Sequence, residues 1–206
     1  MGYRIRILGN NLTPISLNQI RMTAEPAIIE ADEGVEDEWQ ALILKHASGV
    51  PIAFIEKNPV REGELGGEEL KEFVEEVSYY KPDSAAAWLK EYLPNVKVIY
   101  SFQLLSGTDV ENGFELMHKV YGVVWSLAGG ILQADQEGFT NEMGHTILWQ
   151  FGDHVTGEWN AGILGNDGRW TNFEMDLGNE EQRTDFLEGK VPTGARLLPE
   201  DKRNLE

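Results

Sequence analysis

The segment from Glu111 to Ala128 constrains this chain more than any other. Phe114, Met117, Val120, Tyr121, Val124, Leu127 and Ala128 recur at helical spacing and make a broad apolar stripe. Such a stripe is expected of a long amphipathic helix, over about residues 111–128, lying across a sheet. Gly129-Gly130 supplies a natural stop, because glycine enters the left-handed conformation that ends helices.

Strand-like segments exist to receive that helix. Tyr3 to Leu8 alternates arginine with isoleucine, the rhythm of a half-buried strand. Trp39 to His46 and Val50 to Glu56 flank Ser48-Gly49 and predict a hairpin. Pro51 predicts that its strand is an edge or begins there, since proline cannot donate to a ladder. Val96 to Leu105 has the composition of a buried strand. Glu158 to Leu164 and Arg169 to Met175 flank Gly165-Asn166-Asp167-Gly168, a second hairpin signal.

Further short strands are expected at Ala27–Glu30, Ile131–Ala134 and Thr146–Phe151, with a polar connection from Asp135 to Glu142. Ile15 to Ala24 carries mixed signals. Helices are expected at Glu68–Val77, Asp83–Tyr92 and Glu180–Leu187, the first preceded by a break at Gly66-Gly67 and the second by Pro82. The expected class is α+β, a mostly antiparallel or mixed sheet with the helices packed on one face. A chain of 206 residues accommodates one such domain over residues 1–190 and an extended or flexible tail over 191–206.

Charge narrows the function. The chain carries 17 Lys plus Arg against 35 Asp plus Glu, a formal charge of −18. That balance repels phosphate backbones and anionic head groups, so free nucleic acid and membrane surfaces are not expected partners. Seven carboxylates fall between Glu25 and Glu38 without a Lys or Arg: Glu25, Glu30, Asp32, Glu33, Glu36, Asp37 and Glu38. A second seven lie between Glu62 and Glu76, opposed only by Lys71. Such runs stay solvated or meet a partner's positive charge.

Catalytic signatures are scarce. The absence of cysteine excludes disulfides, thiolate zinc sites, iron–sulfur clusters and thiol nucleophiles. There is no G-x-G-x-x-G after a strand, no phosphate-binding P-loop, no H-E-x-x-H and no G-x-S-x-G elbow. Nothing in the pattern calls for a cofactor. His145 and His154, with Asp153 beside the latter, could ligate a metal or perform acid–base chemistry if their loops converge. His118 and His46 read as boundary residues of a helix and a strand. Of six tryptophans, Trp159 and Trp170 flank the second hairpin turn and are candidate recognition residues.

The leading expectation is a cytoplasmic, non-enzymatic binding or regulatory protein. It would engage a protein partner with a basic surface, or a second copy of itself, through Glu33, Glu36, Asp37, Glu38, Trp159 and Trp170. The alternative is a small hydrolase or metal-dependent enzyme using His145, His154 and neighbouring carboxylates: Asp153, with Asp135, Glu137 and Glu142 upstream. A third reading, assembly through the Val50–Glu56 strand as an edge, ranks last because Pro51 and Glu56 oppose edge pairing.

Overall fold

The computed structural model describes residues 2–34 and 38–199. The chain runs β1 (Arg4–Gly9), α1 (Leu17–Ala24), β2 (Ile28–Glu33), β3 (Ala41–Lys45), β4 (Pro51–Pro59), α2 (Leu65–Glu76), α3 (Asp83–Tyr92) and β5 (Val98–Leu104). It continues through α4 (Gly113–Ala128), β6 (Ile131–Ala134), β7 (Gly138–Thr140), β8 (Thr146–Trp149), β9 (Glu158–Leu164), β10 (Trp170–Asp176), α5 (Glu180–Leu187) and β11 (Arg196–Leu197). This is an α+β chain, with its residues in two compact units: Met1–Leu70 with Asn95–Gly130, and Lys71–Pro94 with Ile131–Glu206.

In the first unit the strands run in the order β1-β5-β4-β3-β2, all antiparallel. Register places Ile5, Phe102 and Ile55 opposite one another, and Ile7 opposite Tyr100. Cross-strand partners share a face, so these residues make one apolar surface. α4 lies on it, with the Tyr121 ring edge-on to Phe102 at 5.5 Å. α4 buries Leu116, Met117, Val120, Tyr121, Val124 and Ala128. Phe114, expected in the stripe, is exposed instead and stacks on His118 along the helix. α4 begins at Gly113, after a left-handed Asn112, and glycine is required there since a Cβ would stand 1.9 Å from the Gly107 carbonyl oxygen.

The other face of this sheet carries the β1 arginines beside the buried Leu8 and Ile99. Arg6 pairs with Glu69 of α2 at 2.5 Å, and Arg4 approaches Glu56 at 3.7 Å.

The expected β3–β4 hairpin is present. β4 does begin at Pro51, but it lies between β3 and β5 and is not an edge. Assembly through the Val50–Glu56 strand is therefore corrected, since both its sides are already paired. Gly66-Gly67 falls inside α2, not before it. A Cβ at Gly67 would sit 2.0 Å from the Arg61 carbonyl oxygen, so only glycine lets the helix start this close to its own entry loop. The mixed segment before residue 24 resolves into α1, which packs Leu17, Ile20 and Ala24 inward.

In the second unit the strand order is β11-β10-β9-β8-β7-β6. Every pair is antiparallel except β8–β9, which makes this sheet mixed. Ala161, Ile163, Phe173, Met175 and Leu177 pack with Phe186 of α5. α5 is capped by Asn179, whose side chain accepts from the Glu181 and Gln182 amides. β7 occupies the stretch expected to be a polar connection. Gly138, with φ +114°, allows β7 to approach the Leu148 carbonyl, where a Cβ would lie 1.9 Å from the oxygen.

Candidate functional site

The first acidic run is built around β2. Glu25 ends α1, Glu30 and Asp32 stand on β2, and Glu38 precedes Trp39; all four are exposed. Glu33 is the last residue of β2, while Glu36 and Asp37 lie outside the described residues. Among the described residues, β2 terminates the first unit's sheet and pairs with β3 alone. Its register shifts between Ala31 and Glu33, leaving Asp32 as the extra residue of a bulge. Ile28, beside Glu30 on the same face, is 43% exposed. Sequence reasoning missed Ile28, because an apolar residue next to a strand-like run reads as core until the strand order is known.

Behind this edge the unit is firmly anchored. Trp39 is wholly buried, donates from Nε1 to the Ile15 carbonyl at 2.8 Å, and meets the Tyr100 ring at 5.8 Å. Lys57 Nζ lies 5.7 Å from the Trp39 ring centroid, a cation–π arrangement. Burial pulls the Lys57 ammonium below its ordinary value, and the neighbouring Glu38 carboxylate opposes that shift. Burial alone pushes the Tyr100 phenol up to about 12.

The second acidic run divides in role. Glu62, Glu64 and Glu68 are exposed, whereas Glu69 is drawn inward by Arg6. Arg61 meets Glu64 at 3.4 Å on the surface. Glu72, Glu75 and Glu76 continue the exposed acid along α2.

Trp159 and Trp170 do not form one surface. Trp159 pairs with Met175 and Trp170 with Leu164, so strand alternation sends the two indoles to opposite faces of the β9–β10 ribbon. Trp159 donates to Thr146 Oγ1 at 2.8 Å and stands edge-on to Phe151 at 5.4 Å, leaving 37% of it exposed. Trp170 packs edge-on against Trp88 at 5.3 Å. Trp88 in turn stacks on Tyr92, whose hydroxyl donates to Glu142.

His145 closes the loop between β7 and β8. Its amide and that of Met143 donate to Asn141 Oδ1, each at 3.0 Å, which fixes the loop on the Asn141 side chain. His154 and Asp153 are exposed, and the Asp153 carbonyl accepts from Arg183. Among the described residues no three His, Asp or Glu side chains gather closely enough to hold a metal ion, so His145, His154 and Asp153 do not form that group.

The second unit also has an open cleft of about 540 Å³ where α3 begins and α5 ends. Ser84 and Thr184 line it, but no histidine does. Lys81, the cation on its wall, is held by both carboxylate oxygens of Asp83 at 2.8 Å. The cleft therefore presents hydroxyls without an adjacent imidazole to activate them.

Among the described residues, no helix is long and apolar enough to cross a membrane. No family model, curated protein or solved structure matches the chain.

Proposed function

We propose that this protein is an acidic binding module that captures a positively charged protein partner through the first unit's β2 region. The observation that carries the reading is the exposure of Glu25, Glu30, Asp32 and Glu38 around a strand with an open side. Glu56 and Glu69 engage Arg4 and Arg6 on the sheet face, while Lys45 of β3 pairs with Glu30 and partly offsets this surface. Carboxylates gathered this way steer a basic partner toward one end of the sheet, and screening by salt weakens the attraction. The cleft of the second unit, with its cation already paired and no histidine on its walls, gives catalysis no comparable support.

The test is a titration of the full chain with a fluorescent Lys-rich peptide over a range of salt. Saturable one-to-one binding that weakens steadily with added salt supports the reading. Salt-insensitive binding, or none, refutes it.

A further inference from the structure

We infer that the outer side of β2 takes up an extended basic segment of the partner as an added strand. This inference rests on the function proposed above and assigns its docking site. Among the described residues, β2 is the terminal strand of the first unit's sheet, bonded to β3 on one side. In an antiparallel ladder every second residue of such a strand points its N–H and C=O away from the partner strand. Among the described residues, no backbone group outside the β3 ladder bonds to Ile28–Asp32. The stretch Ile28–Ala31 keeps regular register with β3, so it offers a flat template before the bulge at Asp32.

Charge decides the occupant. A second copy paired on this edge would set two β2 strands, each carrying Glu30 and Asp32, side by side, and like charges crowded across a ladder destabilise it. A strand bearing Lys or Arg meets opposite charge at the same positions. The acids thus guard the edge against self-pairing and select a basic segment, one device serving both ends. Ile28, exposed on the same face as Glu30, adds an apolar contact and sets the pattern: a basic residue near Glu30 and an apolar one near Ile28.

The experiment uses the full chain and a short peptide alternating Lys with Thr and Val, read by hydrogen–deuterium exchange and by fluorescence titration. Two further peptides of identical charge carry N-methyl groups on one or the other backbone edge, which blocks pairing on that edge alone. Added-strand binding slows exchange in β2, and one N-methylated peptide binds about tenfold more weakly while the other keeps its affinity. If both N-methylated peptides bind as the parent does, or binding leaves β2 exchange unchanged, the strand inference falls and the charge reading stands. If no peptide binds in a salt-sensitive way, both fall. Self-association that protects β2 without peptide assigns the edge to a second copy and overturns the inference.

Discussion

Lys45 of β3 forms an ion pair with Glu30 of β2, reaching diagonally across a ladder in which Lys45 itself opposes Ile28. A basic ligand on β2 must compete with this ammonium for the Glu30 carboxylate. Lys45→Ala is therefore expected to change stability by no more than about 1 kcal/mol, as for other exposed pairs. The same substitution should tighten binding of a Lys-rich peptide about two- to fivefold, because it removes the internal competitor. Chemical denaturation and a binding titration on one preparation check both numbers.

Two glycines next to or within α4 separate backbone need from helix propensity. Gly130 has φ +86°, and a Cβ there would lie 2.0 Å from the Leu8 carbonyl oxygen. Gly130→Ala should cost at least about 2 kcal/mol from strain and displacement of β1. Gly122 lies inside α4, where a Cβ meets nothing within 4 Å. Gly122→Ala should stabilise by roughly 0.5–1 kcal/mol through better helix propensity. Thermal or urea unfolding of the pair tests the placement of α4 on its sheet.

Tyr100 provides a pH signature. Its phenol titrates at about 12 in the folded protein against 10.0 for an unperturbed group. The folded state therefore holds this proton where the unfolded chain has released it. The contribution to stability is fully present below pH 10 and is lost as pH rises through about 12. Absorbance near the phenolate band should show a late ionisation step near pH 12, and Tyr100→Phe should remove it.

Much of the fold was legible because the deciding signals were local. The Asp83–Tyr92 helix, the Glu158–Leu164 strand and the Glu180–Leu187 helix occur over the residues expected of them. The β9–β10 turn closes through Gly165 and Arg169 as its Asn-Asp-Gly composition requires. What stayed hidden depends on partners distant in sequence. Pro51 begins a strand, yet whether β4 is an edge depends on β5, which starts beyond residue 95. β7 spans three residues, too few to show alternation, and β11 only two.

The candidate site divided in the same way. The exposure of Glu30, Asp32 and Glu38 follows from their crowding in sequence, a local property. That Trp159 and Trp170 face opposite ways depends on the parity of the β9–β10 register, which proximity to a turn does not reveal. His145 and His154 are close in sequence, but His145 belongs to a loop ordered by Asn141 while His154 is an exposed turn residue.

Charge reversal at the edge tests the central claim most directly. The affinity of a Lys-rich peptide should be measured at one fixed ionic strength for the parent chain, for the double variant Glu30→Lys/Asp32→Lys, and for Glu62→Lys/Glu64→Lys as a control with the same change in net charge. Loss of about tenfold or more in the β2 variant, with the control within about twofold of the parent, is the predicted result. Equal losses in both variants would show that the peptide responds only to overall charge, and would contradict a binding site on β2.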